Sequence, residues 1–226
     1  MYGNKKVLAI IPSRKGSKRI KDKNKYEIKG KLLFQYSVDI AKASLYIDDV
    51  LISSDSQEIM DKAIALGCIS NGLRPDELSG DYARIIDVIL YELSKLREQY
   101  DAVVLLQPTY PLRTREMLDK AIEKYFVEEK SLITVVTAKE PVVFLREITE
   151  DGRLKKIIDE SSDIRSQDFK QYYRIIGSIY INNVKNINSN IILNENEIPF
   201  EVDEYFNVDI DNYSDIELLK ERMGII

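Results

Sequence analysis

Lys6-Val-Leu-Ala-Ile-Ile-Pro12 is five consecutive apolar residues closed by a proline. An unbroken apolar run, rather than an alternating one, marks a strand buried on both faces. The segments that follow decide how this strand is used. Residues 13–31 are polar and contain glycine, and apolar residues then recur at helical spacing over 32–44. Asp49-Val-Leu-Ile-Ser53 reads as a second strand. Asp55-Ser-Gln-Glu58 supplies a capping-box start for a helix over 56–66, which stops at Gly67. Residues 71–84 show no periodicity and read as an ordered loop, whereas 85–99 are helical in pattern. Ala102-Val-Val-Leu-Leu106 is a further strand, followed by a helix over 114–128 and a strand over 132–137.

Strands separated by helices of this length imply crossover connections and a mostly parallel sheet covered on both faces. The predicted fold is therefore α/β: a three-layer, Rossmann-like core with helices on both sides of the sheet. Ligands of such sheets sit beyond the carboxyl ends of the strands, which selects the loops after Ile11, Ser53 and Leu106. Over 138–176 the rhythm breaks into isolated apolar residues and turn signals such as Glu150-Asp-Gly152, suggesting β-hairpins outside the core. A strand resumes at 177–182. Residues 205–211 read as a strand with alternating acidic residues, and Ser214-Asp-Ile-Glu217 caps a closing helix over 214–223. The expected organisation is a core of 1–137 and 177–226 with a small β-rich extension, 138–176, inserted in it.

Composition narrows the chemistry. At 226 residues the chain holds one generous domain, or one domain and a small lobe. Lys and Arg total 33 against 38 Asp and Glu, a net charge of -5, which argues against a nucleic-acid partner held by a basic face. The absence of His removes imidazole acid–base chemistry and His metal ligands. A lone cysteine, Cys68, cannot form an internal disulfide or a zinc site. No run approaches the ~18 apolar residues of a membrane span, so a cytoplasmic protein with no membrane partner is expected. Catalysis here must use carboxylates, Lys, Arg, backbone amides or a metal.

Four motifs carry chemical content. Ile11-Pro-Ser-Arg-Lys-Gly-Ser-Lys-Arg-Ile-Lys-Asp-Lys-Asn24 places six basic residues directly after the first strand of an acidic chain. Gly16 beside Ser17 lets backbone N–H groups approach an anion, while Arg and Lys neutralise phosphate charge. By composition the loop reads equally as a phosphate cradle or a solvated basic stretch; its position after the strand favours the cradle. Asp209-Ile-Asp211 puts two carboxylates on one face of an extended segment, where they can share a divalent cation or simply meet solvent. Leu106-Gln-Pro-Thr-Tyr-Pro-Leu-Arg113 is stiffened by two prolines and either presents Gln107, Thr109 and Arg113 or only turns the chain into the next helix. Leu73-Arg-Pro-Asp-Glu-Leu78, with Asp81 beyond it, lies in the loop before residue 85.

Together these motifs resemble the acylneuraminate cytidylyltransferase family, which makes CMP-activated sialic and related nonulosonic acids. The resemblance is carried in order by Ile11 to Lys18 with Lys23-Asn24, by Arg74 to Leu78, by Gln107 to Arg113 with Tyr110 replacing a Ser, and by Asp209 to Asp211. It implies attack by the anomeric hydroxyl of a nine-carbon acid sugar on the α-phosphorus of CTP, with release of pyrophosphate. It further implies that Ser13, Arg14, Gly16, Ser17, Lys18, Lys23, Asn24, Arg74 and Asp81 hold the nucleotide. Arg14, Lys23, Asp209 and Asp211 would be catalytic, the two aspartates holding Mg²⁺. Gln107, Arg165, Gln167 and Arg174 would reach the sugar, and 138–176 would be a dimerisation extension, making the protein a homodimer.

Two departures from the family pattern touch the expected site. Ile176 stands where the family has Asn, and Tyr82-Ala-Arg-Ile85 replaces small polar residues. An apolar side chain cannot hydrogen-bond a sugar, so these positions bear on which acid sugar is used. The competing readings are a cytidylyltransferase for a Kdo-like acid, a metal-dependent glycosyltransferase, and a non-catalytic nucleotide-binding relative. For a glycosyltransferase, Asp-x-Asp belongs mid-chain and the basic loop has no evident task.

Overall fold

The computed structural model describes residues 1–163, 165–168 and 170–225. Its elements in chain order are β1 (Val7–Pro12), a β2–β3 hairpin (Glu27–Ile28, Lys31–Leu32), α1 (Leu33–Ala43), β4 (Asp49–Ser53), α2 (Gln57–Ala65), α3 (Ile85–Lys95), β5 (Ala102–Leu105) and α4 (Arg115–Glu128). There follow β6 (Leu132–Thr137), a β7–β8 hairpin (Arg146–Ile148, Leu154–Lys156), β9 (Tyr173–Asn183), β10 (Ile198–Glu201) and α5 (Tyr213–Arg222). The central sheet runs β10-β6-β9-β5-β1-β4. Strand β1 pairs in parallel with β4 and β5, β10 pairs in parallel with β6, and β9 lies antiparallel between β5 and β6.

The unbroken apolar run of β1 follows from its position. Val7, Ala9 and Ile11 pack with α1, α2 and α4 on one face, while Leu8 and Ile10 pack with α3 on the other. The three-layer α/β expectation is thus met. Local capping also follows the sequence, with adjustments. Thr114 caps α4 through Met117 N–H, and Gly67 ends α2 at φ +81°, a left-handed conformation that L side chains rarely adopt. The cap of α2 is Ser56, not Asp55, and that of α5 is Asn212, whose box partner is Asp215 rather than Glu217.

Three larger differences concern the second half. Residues 205–211 form no strand: a short 3-10 turn (Glu204–Phe206) is followed by extended chain that makes a single backbone bond to the neighbouring loop, Ile210 N–H to Thr109 O at 2.8 Å. Strand β10 is unpredicted because Pro199 interrupts its pattern; as an edge strand it tolerates the missing donor. Strand β9 starts at Tyr173, so 173–176 belong to the sheet rather than the extension, which retains the β7–β8 hairpin turning at Gly152. No helix among the described residues is long and apolar enough to cross a membrane.

A bulge in β9 fixes the sheet to the loop after β5. Between Ile133↔Tyr180 and Val135↔Ile175 the register shifts, leaving Thr134 opposite several residues. The Thr134 hydroxyl donates to Ile176 O at 2.9 Å and accepts from Ile179 N–H at 3.0 Å, replacing lost ladder bonds. Gly177 sits at this bulge because a Cβ there would lie 3.0 Å from Gln107 Oε1 and 3.3 Å from the rings or hydroxyls of Tyr110 and Tyr180. Beneath it the buried Arg113 guanidinium donates to Ser178 O, Gln107 O and Ser37 Oγ, tying β9, the β5–α4 loop and α1 together. Replacing it with Met leaves three acceptors buried without donors. Arg113→Met is expected to cost about 3 kcal/mol or more, a Tm lower by roughly 6–12 °C. An unchanged melting curve would show that these acceptors do not depend on Arg113.

Candidate active site

The carboxyl ends of β1 and β5 open into a cleft of about 290 Å³. Its polar end is lined by Arg14, Gly16, Ser17, Lys23 and Asn24, and its floor by Gln107, Pro108 and Thr109. The far wall comes from Arg74, Leu78, Ala83, Ile85 and Val88. The predicted loop after Ser53 is not in the lining. The chain enters α2 there, and the wall is instead the stretch that returns beside it, held by Arg74 N–H on Ser54 O at 2.8 Å.

The basic loop is shaped before any ligand arrives. Asn24 Nδ2 donates to Arg14 O at 2.9 Å, and Asp55 accepts the Lys15 N–H at 2.6 Å. Ile20, the loop's apolar residue, is fully buried with Val208, Ile210 and residues of α1 and α5. Those two apolar residues bracket Asp209. The same peg that anchors the basic loop therefore fixes the aspartate segment.

Lys23 completes the junction: its Nζ donates to Ile210 O at 2.7 Å and reaches Asp211 Oδ1 at 3.1 Å. Arg19 pairs with Asp211 Oδ2 at 2.8 Å. On the other side, Asp81 pairs with Arg14 at 3.0 Å and Lys18 at 2.7 Å. These last two bonds hold the Asp81 carboxyl below its usual pKa range, Lys18 contributing most. At Asp211 partial burial pushes upward, but Lys23 and Arg19 outweigh it and the net shift is downward.

Asp209 differs from its neighbour. Its outer edge is open to solvent, yet surrounding protein raises its pKa, and the charge of Asp211 adds to the effect; Thr109 and Tyr110 hydrogen-bond it from below. Val208 and Ile210 are buried while Asp209 and Asp211 are not, so the alternation expected of a strand survives on an irregular segment. Asp215 accepts the Asp211 N–H at 2.7 Å and so fixes its backbone.

This donor set fits Mg²⁺. The charge of Asp211 raises the cost of ionising Asp209, a cost that a divalent cation on both carboxylates would relieve once Lys23 and Arg19 yield the oxygens of Asp211. Among the described residues no group of three or more acidic or sulfur ligands exists, so the rest of the shell must come from phosphate and water.

The predicted nucleotide residues Arg14, Gly16, Ser17, Lys23, Asn24, Arg74 and Asp81 line this cleft together with Gln107, and Lys18 reaches it through Asp81. Ser13 does not. Its side chain is fully buried and its N–H bonds Ser53 O at 2.8 Å, so it shapes the loop from inside. Arg165, Gln167 and Arg174 also lie outside the lining. Arg165 is exposed and pairs with Asp168, and Arg174 borders a separate groove with Tyr172, Tyr173 and Glu204.

The two departures separate. Ile176 is interior, packed with Tyr110, Val136 and Val202, whereas Ile85 faces the cleft. Burial pushes the Cys68 thiol up to about 11, leaving it chemically quiet.

Sequence reading did not foresee the Asp81 bridge, the Asp215 support or the role of Ile20. The isolated apolar residue inside a basic loop was the available signal for the last of these.

A pseudaminic acid cytidylyltransferase of Campylobacter jejuni is 31% identical over 220 residues, 95% of each chain. The CMP-N,N'-diacetyllegionaminic acid synthase of Legionella pneumophila is 32% identical over 189 residues, 82% of this chain and 81% of that one. Among solved structures, a CMP:2-keto-3-deoxy-manno-octonic acid synthetase complexed with CTP shares the fold with a TM-score of 0.74 at 16% identity, covering 97% of this chain and 99% of that one. The Cytidylyltransferase family model matches residues 8–221, and the chain belongs to the cytidylyltransferase family.

Proposed function

We propose that this protein transfers CMP from CTP to the anomeric hydroxyl of a nonulosonic acid of the sialic, legionaminic or pseudaminic type. The observation that carries the reading is the junction of the basic loop with the aspartate segment: Lys23 lines the cleft and reaches Ile210 O and Asp211, so the aspartates stand at its edge although neither is in the lining. The named activities of the relatives at 31% and 32% identity support the choice of a nonulosonic acid over a Kdo-like one. The interior position of Ile176 supports turnover over mere nucleotide binding, because this departure removes no polar group from the cleft.

The reaction forms an anomeric O–P bond, breaks the bond from the α-phosphorus to the β-phosphate, and releases pyrophosphate and the hydroxyl proton. Such transfer needs positioning and charge neutralisation more than covalent help. Arg14 and Lys18 exchange Asp81 for the triphosphate as partner, and the Asp81 carboxylate, 38% exposed, passes to solvent. Gly16 and Ser17 offer backbone and hydroxyl donors to the same oxygens. Lys23, held at Ile210 O, stands between the phosphates and the aspartates. Asp209 and Asp211 would hold Mg²⁺, which when bound stabilises phosphate charge and lowers the pKa of an attacking hydroxyl. Gln107 faces the cleft floor, where an acid sugar would lie.

The extension suits a second copy of the chain. Ile148 and Leu154 on the β7–β8 hairpin are each 72% exposed, and Ile157, Tyr173 and Ile175 are further exposed apolar side chains of this part of the chain. A homodimer would cover it and bring Arg165, Gln167 and Arg174 of one protomer toward the site of the other.

Pyrophosphate release with CTP and a panel of pseudaminic, legionaminic and sialic acids and Kdo tests the function: turnover with a nine-carbon acid is expected, and CTP binding without turnover on any of them would overturn it. Asp211→Asn is expected to abolish Mg²⁺-dependent turnover with an unchanged circular-dichroism melt; retained activity would remove the metal assignment. Arg14→Ala should slow catalysis by on the order of 10², the scale for loss of one transition-state charge partner, whereas a near-normal rate would make the loop structural only. Sedimentation of Ile148→Asp/Leu154→Asp should give a monomer where the parent chain is a dimer; a monomeric parent chain would dismiss the interface.

A further inference from the structure

Glu92 is out of place. On α3, Ile85, Val88 and Glu92 share one face at helical spacing. The first two line the cleft, and the third continues the stripe into the interior with no solvent exposure at all. An apolar residue belongs there. Glu92 Oε2 accepts from Asn71 Nδ2 at 2.7 Å, and its main-chain carbonyl accepts from the same amide at 3.0 Å. Its Oε1 and the neighbouring buried Ser53 Oγ make no well-formed hydrogen bond, and burial raises the Glu92 pKa against the opposing pull of Ser53, Asn71 and the Arg74 charge. A half-satisfied buried carboxylate costs stability, so its presence calls for a use.

Arg74 supplies one. It is 5% exposed and lines the cleft, and its Nε donates to Ser79 Oγ at 3.1 Å. Among the described residues no carboxylate lies within ion-pair distance of its guanidinium, which is permanently charged. The opposing charges that act on it are Asp55, which also accepts the Lys15 N–H of the basic loop, and Glu92. Glu92 therefore acts on Arg74 in two ways. It supplies negative charge from behind the wall, and through Asn71 it clamps to α3 the loop that carries Arg74 three residues later.

We propose that Glu92 is a positioning residue for Arg74, a buried carboxylate that aims and balances the guanidinium for the nucleoside of CTP. This rests on the reading that Arg74 contacts the nucleotide. Charge and clamp separate by substitution. Glu92→Gln keeps an acceptor for Asn71 and removes the charge; Glu92→Met removes both.

The test measures CTP binding by calorimetry and steady-state kinetics in the full chain. Both variants should weaken CTP binding and raise its KM about tenfold, the scale of one charge-assisted contact. The change in kcat should stay under about threefold, and KM for the acid sugar should hold. Thermal stability should fall, because Arg74 is left buried without that opposing charge, and it should fall further in Glu92→Met, which also leaves the Asn71 amide without its acceptor. In an Arg74→Ala background Glu92→Gln should have no further effect on CTP binding, the non-additivity expected if one residue acts through the other. Unchanged CTP binding in both Glu92 variants, with Arg74→Ala still impaired, overturns the inference alone. Unchanged CTP binding in Arg74→Ala overturns the nucleotide assignment of Arg74 beneath it. Should Glu92→Met fail to fold, Glu92→Gln decides by itself.

Discussion

The 2.7 Å hydrogen bond from Lys23 Nζ to the Ile210 carbonyl joins stretches of chain 187 residues apart. The proposed site depends on that junction. On one side lies a loop too rich in positive charge to hold a fixed shape alone; on the other lies a pair of aspartates that repel each other. Ile20 is buried in one apolar cluster with Val208 and Ile210, and this hydrophobic contact helps fix where the charges meet. Charge alone would not define the geometry, since exposed ion pairs contribute little and tolerate many arrangements.

A second junction sets the floor of the cleft. The loop from Gln107 to Arg113 holds Asp209 through Thr109 and Tyr110, and is itself held by Arg113 beneath and by the bulge of β9 beside it. Gly177 allows that bulge to approach Gln107 closely. The cations meanwhile are already paired: Arg14 and Lys18 with Asp81, Arg19 and Lys23 with Asp211. The cleft is therefore preorganised but not strongly charged when empty. A polyanion entering the proposed site would replace carboxylates as partner; of these cations only Lys23, 15% exposed, is already largely desolvated by folding.

What could be read from the sequence was whatever local pattern determines. The double-sided burial of β1, the helices that follow each strand and the order of the four motifs all follow from runs, caps and spacing. What could not be read was long-range. Nothing local says that β9 inserts antiparallel between β5 and β6, because its partners lie far away in the chain. Strand β10 is hidden by Pro199. The Asp209–Asp211 segment shows strand alternation yet forms no strand, because its burial comes from α1, α5 and Ile20 rather than from a ladder. Asp81 reads as a ligand contact by motif, and only its distances reveal that it pairs with Arg14 and Lys18 of the basic loop.

Ile85 and Ile176 show why departures from a family pattern need a structure. Both put an apolar residue where polarity was expected, and from the sequence both threaten the sugar site. Ile176 instead packs among Tyr110, Val136 and Val202, under the loop that supports Asp209, and its burial there adds to the stability of that support. Ile85 is in the cleft wall with Leu78, Ala83 and Val88, an apolar stretch of the lining that also holds Arg74. Lower local polarity strengthens every interaction a buried guanidinium makes. It also raises the cost of leaving that charge unbalanced. The apolar wall and the buried Glu92 behind it are thus one arrangement: the first sharpens the charge of Arg74, and the second makes that charge tolerable.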